Sequence, residues 1–446
     1  MDEKKIEKRP ILIVAPVGLL KNWEAEHNMH LASPGLGAAI YAYGDHLKLL
    51  KSGSHRSGTA KLDATALAEA DWILTNYETI SDYQLSFGAV KLACVVFDEA
   101  QKIKTPSARM THAAKGLNTE FVLAMTGTPV ENRLADLWCI ADTVQPMALG
   151  NLKDFSQKYE TEDAQELVQQ LRNLIWQEES AIKGSNQPPQ LMLRRLKTEK
   201  LDGLPKKYEH FVRQNMPIDQ NQAYRHALAM KQVKGPQGTL GMIQALRSLS
   251  LHPDLYMPSE GDFDPTKSAR FQVTLKILDD CYTNGEKALI FLESLELQSS
   301  GQFPLFLQRR YGLPHLPLVI NGDVKTSIRQ NRVDEFQQRS GFDIMLLSPK
   351  AGGVGITLTA ANHVIHLSRW WNPAVEDQCS DRAYRIGQTK DVHIYYPLAI
   401  NLENPEKSFD LKLNELMQRK RSLSQQLLAP PIFTKDDYET LMTSVR

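Results

Sequence analysis

The last third of the sequence contains residues whose types and spacing suit a phosphate group. A glycine-rich run at 352–355 follows Lys350, and Arg382 and Arg385 lie three residues apart in a polar segment. Residues three apart on a helix project from one face, so this spacing predicts that the two guanidinium groups act together. A guanidinium group is always charged and binds phosphate in a planar, bidentate way. The combination predicts a polyphosphate site.

Two carboxylates in the first half of the sequence suit the same chemistry. Asp98 and Glu99 directly follow the apolar run Ala93–Phe97, giving VVFDEAQ. A carboxylate at the end of a buried strand can hold magnesium through water, and its neighbour can orient or activate the attacking water. For this pair alone, the simpler alternative is two acids that stabilise the start of the next helix.

A turn rich in hydroxyl groups, Thr126-Gly127-Thr128-Pro129, follows the apolar run Phe121–Met125. Its hydroxyl groups are expected to hydrogen-bond across to Asp98 or Glu99. Taken alone, the same residues also fit a strand-ending turn with a helix cap.

Short apolar runs separated by helical patterns must position these residues. Continuous runs of this kind are typical of strands in parallel sheets covered on both faces, and the alternation predicts an α/β fold. In such sheets ligands bind beyond the carboxyl ends of the strands, where the polar residues above lie. The predicted strands are Ile11–Ala15, Trp72–Thr75, Ala93–Phe97, Phe121–Met125, Lys287–Leu292, Leu318–Ile320, Ile344–Leu347, His363–Leu367 and Val392–Tyr396.

Length and composition limit the class of protein. The chain has 446 residues, and a single core stops growing at roughly 250–300, so two domains are expected. Lys+Arg and Asp+Glu are both 52, so a DNA site must come from local segregation of charge. The cysteines are far apart in the sequence, which indicates isolated, reduced thiols of an intracellular protein. Because no signal peptide or membrane-spanning run is present, we expect a soluble intracellular protein, cytoplasmic and nucleoid-associated if bacterial.

Several segments, in this order and spacing, resemble one family. Gly-Gly-Val-Gly, Arg-Trp-Trp-Asn-Pro and Asp-Arg-Ala-Tyr-Arg-Ile-Gly-Gln resemble the fifth and sixth helicase motifs of the Swi/Snf-type helicase-like ATPases, the double-stranded-DNA translocases of helicase superfamily two. VVFDEAQ resembles the second motif (a DEAQ box), TGTPVENR the third, PVGLLKNWEAE motif Ia and TNYE the next DNA-facing motif. The resemblance implies two RecA-like lobes with parallel β-sheets flanked by helices and a helical insertion between them.

The resemblance also implies roles for individual residues. It implies that catalysis uses Asp98, Glu99, Arg382 and Arg385, with Asp98 also holding magnesium through water. Nucleotide coupling is implied for Gln101, Thr126, Gly127, Thr128, Gly353, Gly355 and Gln388. DNA contact is implied for Lys21, Thr75, Tyr77, Lys350, Thr357, Trp370 and Trp371. The alternatives are a solvated charge for Lys21, ordinary packing for Trp370 and Trp371, and a core position for Trp23; at Gln101 the family often has histidine.

One expected segment is missing. A member of this family should carry a phosphate-cradling loop of the G-x-G-K-[ST] type, but Gly-Lys-Ser and Gly-Lys-Thr do not occur in the sequence. We therefore expect an incomplete first lobe from a longer gene product, with exposed sheet edges that leave it marginal or sticky alone. Without the cradle, the acids would repel a triphosphate, so we expect this chain not to hydrolyse ATP at a useful rate.

The preferred interpretation is part of a DNA-dependent ATPase that translocates on double-stranded DNA and remodels protein–DNA complexes. We expect a first lobe at 1–150, a helical protrusion and linker at 151–268, a second lobe at 269–400 and brace helices at 401–446. Magnesium and ATP are expected in the complete protein, and neither is expected to bind tightly to this chain alone. The expected partners are double-stranded DNA, a protein that is remodelled and a missing N-terminal fragment, with no membrane. A non-catalytic DNA-binding or scaffold protein and a strand-separating helicase are the alternatives.

Overall fold

The computed structural model describes residues 9–54, 60–127, 130, 133–161, 165–177, 191–193, 203–229, 236–258, 263–299, 301–349, 355–427 and 435–445. The chain divides into two compact units. The first comprises residues 1–199 and 423–430, and the second comprises residues 200–422 and 431–446.

The strands of the described residues are short, and most match the apolar runs of the sequence. They are β1 (Ile11–Val14), β2 (Ala39–Ala42), β3 (Lys51–Ser54), β4 (Ala60–Leu62), β5 (Trp72–Thr75), β6 (Lys91–Leu92), β7 (Cys94–Asp98), β8 (Asn118–Thr119), β9 (Val122–Met125), β10 (Trp176–Gln177), β11 (Met192–Leu193), β12 (Lys207–Asn215), β13 (Ala288–Phe291), β14 (Leu318–Ile320), β15 (Ile344–Leu347), β16 (His363–His366) and β17 (Val392–Ile400).

Helices follow most of these strands, as an α/β fold requires. The α-helices of the described residues are α1 (Leu20–His30), α2 (Leu47–Leu50), α3 (Ala64–Glu69), α4 (Tyr77–Asp82), α5 (Gln84–Gly88), α6 (Arg109–Lys115), α7 (Leu134–Val144), α8 (Leu152–Tyr159), α9 (Gln165–Ile175), α10 (Ile218–Ala229), α11 (Pro236–Leu251), α12 (Ala269–Asn284), α13 (Leu295–Ser299), α14 (Gln302–Tyr311), α15 (Thr326–Gln338), α16 (Pro373–Ser380), α17 (Phe409–Leu427) and α18 (Lys435–Val445). Among the described helices, none combines the length and the apolar character that crossing a membrane requires.

The first unit is built on a parallel sheet with strand order β2-β5-β1-β7-β9. Its central strands are apolar except for the residues at their carboxyl ends, Thr75 of β5 and Asp98 of β7, and β5 is buried at all four positions. Burial on both faces explains why these strands read as continuous apolar runs. The second unit is built on a six-stranded sheet with order β12-β17-β16-β13-β15-β14, which is also parallel throughout. The α/β fold with two parallel sheets expected from the sequence is confirmed.

One edge strand of the second sheet was not expected from the sequence. β12 lies in the segment predicted to be a linker and pairs with β17 along its whole length, from Lys207↔Val392 to Asn215↔Ile400. Its sequence, KYEHFVRQN, is mostly polar and exposes alternating residues. A polar edge strand lacks the continuous apolar run on which the sequence-based prediction relied.

Candidate functional site

The carboxyl ends of the first sheet bring polar residues together. Thr75 is the last residue of β5 and Asp98 the last of β7, while β9 ends at Met125, directly before Thr126. Asp98 and Met125 are register partners, so Glu99 and Thr126 directly follow the carboxyl ends of two neighbouring strands. Parallel α/β sheets bind ligands beyond these carboxyl ends.

Asp98 is held by three neutral groups. The indole Nε1 of Trp23 donates to its Oδ2 over 2.9 Å, and the backbone N–H of Glu99 donates to its Oδ1 over 2.9 Å. The hydroxyl of Tyr77 donates to its backbone carbonyl over 2.7 Å. These contacts fix both the strand end and the direction of the carboxylate. Trp23, which the sequence favoured as a core residue, is half-buried and acts as a hydrogen-bond donor to this site.

Glu99 lies in a backbone conformation that side chains other than glycine rarely adopt. Its φ of 52° and ψ of 52° belong to the left-handed region, where Cβ crowds the following carbonyl. Its Oε2 accepts a 2.7 Å hydrogen bond from Nε2 of Gln101. Strain of this kind tends to occur at functional positions.

A hydrogen-bond relay links the ends of β7 and β9. The hydroxyl of Thr126 donates to Oε1 of Gln101 over 2.7 Å, and the amide of Gln101 then donates to Glu99. Among the described residues, Thr126 of this turn is connected to the acids through Gln101. The relay connects the end of β9 to the Glu99 carboxylate.

Three of the residues predicted to contact DNA lie in the first unit, and two of them are inaccessible. Thr75 is fully buried and its hydroxyl donates to the carbonyl of Ala42 over 2.7 Å. Tyr77 is 1% exposed, and burial, followed by Asp98 and Glu99, raises its pKa. Neither side chain reaches the surface in this structure, and their contact with DNA stays a prediction. Lys21, the third of these residues, is exposed on α1. Gly127, which was predicted to take part in nucleotide coupling, is exposed beyond β9.

Arg382 and Arg385 do not lie on a helix, so the prediction that helical spacing places them on one face is wrong. α16 ends at Ser380, and residues 381–387 form turns that finish at Gly387, with a φ of 96°. Arg382 is 8% exposed, whereas Arg385 is half-buried and its Nη1 donates to the hydroxyl of Thr357 over 3.1 Å. Arg385 is therefore the more accessible guanidinium group.

Gln388 is used by the fold itself. Its Nε2 donates to the carbonyls of Thr359, Ala361 and Ala383 at 2.9–3.1 Å, and its Oε1 accepts from the backbone N–H groups of Thr389 and Lys390. An amide side chain has two N–H groups and one carbonyl oxygen, so these contacts engage all of its hydrogen-bonding groups. Gln388 therefore has a structural role in this conformation, and its part in nucleotide coupling stays a prediction. Gly355 is buried with a φ of 49°, which glycine accommodates without strain.

The tryptophan pair of the second unit is half-buried. Trp371 packs at 5.1 Å from the guanidinium of Arg247 and edge-on to Tyr438. The backbone N–H of Trp370 donates to Oε1 of Glu376 over 2.9 Å. For Trp371 this placement agrees with the packing alternative.

A charged network that the sequence did not reveal supports the tryptophan segment and α16. Nε of Arg369 donates to Oε1 of Glu376 over 2.9 Å, and both side chains are 1% exposed. Burial raises the pKa of Glu376, but the positive charges of Arg369, His366 and Arg421 and the hydrogen bond from Arg369 together lower it, so the pKa is lowered overall. Arg421 on α17 pairs with Asp377 at 2.8 Å. Arg421 and Asp377 are 44 residues apart, so no local pattern indicates that pair.

Three predicted site residues lie outside the described residues: Thr128, Lys350 and Gly353. The structure thus brings Asp98, Glu99, Gln101 and Thr126 together in the first unit. It brings Arg385 and Thr357 together in the second.

The fold and these motif positions define a helicase-like α/β protein with two units. A family model described as the SNF2-related domain matches residues 1–255, and one described as the helicase conserved C-terminal domain matches residues 269–387. The first match covers more than half of the 446 residues. The chain therefore belongs to the Swi/Snf-type family of superfamily-two helicase-like proteins, as the motifs predicted.

Relatives of the chain are longer proteins. It is 37% identical over 473 residues to the Zorya protein ZorD of Escherichia coli, covering 99% of this chain and 42% of ZorD. It is 29% identical to the putative ATP-dependent helicase/translocase YwqA of Bacillus subtilis, covering 95% of this chain and 43% of YwqA. Among solved structures, the Sulfolobus solfataricus SWI2/SNF2 ATPase core in complex with dsDNA matches with a TM-score of 0.41 and 27% identity, covering 94% of this chain and 82% of that one. The chain spans about two-fifths of the length of the first two relatives.

Proposed function

We propose that this chain is the motor part of a DNA-dependent ATPase that translocates on double-stranded DNA and remodels protein–DNA complexes. The supporting observation is the network at the carboxyl edge of the first sheet, in which an acidic pair is joined through Gln101 to Thr126. Hydrolysis of a nucleotide uses one carboxylate to hold magnesium and another group to orient water. A relay from the second carboxylate to a neighbouring strand gives that chemistry a mechanical output.

The residues present fit a hydrated magnesium ion, which supplies charge neutralisation on the phosphates when bound. Each carboxylate oxygen of Asp98 accepts one hydrogen bond from a neutral donor and can accept another. Asp98 would hold the ion through water, while Glu99 orients the attacking water. Arg385 and Arg382 would stabilise charge on the transferring phosphate.

The triphosphate fits less well, because the sequence contains no Gly-Lys-Ser or Gly-Lys-Thr. We infer that the 446-residue chain alone does not hydrolyse ATP at a useful rate. Phosphate release by the purified chain, with and without duplex DNA, tests this. We expect the rate to equal that of the Asp98→Ala variant. DNA-stimulated release above that control would contradict the inference.

Duplex binding tests the motor assignment separately. Motors of this type hold DNA through its phosphates, so two duplexes of unrelated sequence should bind with equal affinity, and the affinity should fall steeply with salt. Failure to bind either duplex would contradict the assignment. A non-catalytic DNA-binding protein is the alternative, and the strained backbone of Glu99 argues against it, because a scaffold gains nothing from this strain.

A further inference from the structure

The outer edge of β12 carries backbone groups that its neighbour β17 does not use. Just before β12, the carbonyl of Lys206 accepts a hydrogen bond from the N–H of Val392, and just after it, the N–H of Met216 donates to the carbonyl of Ile400. The even-numbered positions therefore turn toward β17. Because successive residues of a strand direct their backbone groups to opposite sides, the odd-numbered residues direct theirs to the other side. Among the described residues, no strand lies on that side.

The sequence of β12, KYEHFVRQN, is complementary to itself when it is read in the opposite direction. An antiparallel pair of β12 strands centred on Phe211 places Glu209 of each copy opposite Arg213 of the other. Lys207 then lies opposite Asn215. These are the odd-numbered residues, so each opposed pair can exchange both backbone hydrogen bonds. Opposite charges at directly opposed positions stabilise a pair of strands.

The two charged residues are accessible to a second copy. The side chain of Glu209 is 33% exposed and lies 3.7 Å from Lys207, and that of Arg213 is 58% exposed and lies 3.3 Å from Glu406. Ion pairs as exposed as these contribute little to stability, so they can be exchanged for contacts with a partner. Charges on an edge strand discourage pairing with unrelated strands, whereas a second copy of β12 matches them.

Phe211 ends a row of stacked rings that crosses the second sheet. The row runs from Phe291 on β13 through His366 and Tyr396 to Phe211, with ring centroids 5.4, 5.0 and 4.9 Å apart. The first three rings are buried, whereas Phe211 is 38% exposed. The ring spacing follows the spacing of about 4.8 Å between strands, so the Phe211 ring of a second copy would take the next position in the row. Stacking there would cover apolar surface that is otherwise exposed.

We propose that β12 is a self-association surface, at which two copies of this chain pair antiparallel about a two-fold axis at Phe211. The occupant of the edge is thus a second copy, and the two six-stranded sheets join into one. In a two-fold interface each contact between opposite charges occurs twice. This inference does not rest on the proposed function, because neither nucleotide nor DNA takes part in the pairing. On the other face of the paired strands, Tyr208 lies opposite Gln214 and His210 opposite Val212, which brings no like charges together.

Sedimentation equilibrium of the full chain over a range of concentrations tests the association. We expect a monomer–dimer equilibrium for the wild-type chain. Glu209→Lys should raise the dimer dissociation constant by about tenfold or more, because two pairs of like charges then oppose each other. Adding Arg213→Glu to that variant should restore dimerisation, since opposite charges face each other again in exchanged positions. Arg225→Glu is the matched control, because Arg225 is a 54% exposed arginine on α10 that pairs with Glu403 at 2.6 Å, and it should leave the constant unchanged.

Cysteine crosslinking tests the register. Phe211→Cys should form a disulfide between two copies, because opposed residues of such a pair have Cα atoms about 5.5 Å apart, within the range of a disulfide. Glu209→Cys should not, since the two copies of residue 209 lie about 14 Å apart along the strands. Gel electrophoresis without reductant, with the wild-type chain as the reference, distinguishes the two variants.

Several outcomes would overturn the proposed surface. A wild-type chain that stays monomeric at every concentration overturns it, and so does a dimer that Glu209→Lys and Arg225→Glu affect equally. Failure of the charge exchange to restore the dimer also overturns it. A dimer that Leu123→Lys abolishes and Glu209→Lys leaves intact places the contact at the apolar edge strand β9 instead. Restoration by the exchanged charges together with the Phe211→Cys crosslink supports the antiparallel pairing.

Discussion

The two sheets differ most at their edges. In the first unit, the edge strand β9 is apolar and exposes Phe121 and Leu123. In the second unit, one edge is the polar strand β12, and the other, β14, is only three residues long. Short or polar edge strands discourage further pairing. Among the described residues, the second sheet therefore ends in strands that discourage further pairing with unrelated strands, whereas the first has one edge strand suited to an additional strand.

The interiors differ in the same sense. In the second unit, the buried pair of Arg270 and Asp410 joins opposite charges. The network around Asp98 and Glu99 in the first unit uses neutral donors. A buried ion pair neutralises its own charges inside the fold. Neutral donors leave the negative charge of the acids available to bind a cation. Four predictions test this contrast, from the largest expected effect to the smallest.

Arg270→Ala should be the most damaging change. Nε of Arg270 donates to Asp410 over 2.7 Å, and its Nη1 donates to the carbonyl of Leu367 over 3.0 Å. Arg270 is 1% exposed. Removing one partner leaves a buried charge, so the second unit should lose about 3–5 kcal/mol of unfolding free energy. Hydrogen exchange resolved by strand should show the loss at β13 and not at β5. Arg213→Ala, which breaks an exposed pair with Glu406, is the control and should change stability by less than about 1 kcal/mol.

Gln388→Ala should destabilise the second unit by about 1–3 kcal/mol, because it leaves buried backbone groups unsatisfied. Gln101→Ala, at a half-buried position, should cost less than about 1 kcal/mol. Chemical denaturation of both variants gives the comparison. Wild-type stability in Gln388→Ala would show that Gln388 is not the structural residue that its hydrogen bonds indicate.

Two substitutions at Glu99 isolate its backbone strain. Glu99→Gly and Glu99→Ala both remove the carboxylate and its bond to Gln101, but only glycine tolerates the left-handed conformation. The glycine variant should be more stable than the alanine variant by about 1 kcal/mol. Thermal unfolding of the first unit measures the difference. Equal stability would mean that the left-handed conformation does not persist in solution.

The polar edge of the second sheet should respond to pH. Nε2 of His210 on β12 lies 3.1 Å from Nδ1 of His393 on β17. Burial, and then the neighbouring imidazole, lowers the pKa of each ring: His393 acts on His210, and His363 acts on His393. A folded pKa below the usual value of about 6.5 means that the neutral rings stabilise the fold, and this stability is lost as pH falls below 6.5.

The hydrogen-exchange protection factors at residues 207–215, which correct for the slower intrinsic exchange at low pH, should therefore fall between pH 7 and pH 5, while those at β13 change less. The surrounding groups that face the pair are His363, Glu286, Lys390, Asp391, Tyr208 and Tyr395. The double variant His210→Phe with His393→Phe removes both titrating rings and serves as the control. The same fall in protection in that variant would assign the effect to another group.

The sequence predicted the fold class because parallel strands buried on both faces leave continuous apolar runs. It also predicted the acids and the hydroxyl turn as neighbours, since the ends of parallel strands meet at one edge. It could not predict the role of Trp23, because an indole that donates to Asp98 and one that only packs look alike in sequence. It placed Arg382 and Arg385 on a helix because spacing does not show where α16 ends.

The sequence alone was enough to predict which apolar runs form strands and which motifs follow them. The tertiary structure decided which of those residues reach the surface. Thr75 and Tyr77 are buried, and the hydrogen-bonding groups of Gln388 are all engaged. The apolar strand β9 is the last strand of the first sheet among the described residues. The physical reason is that burial and hydrogen-bond satisfaction depend on partners far away in the chain, which no local pattern specifies.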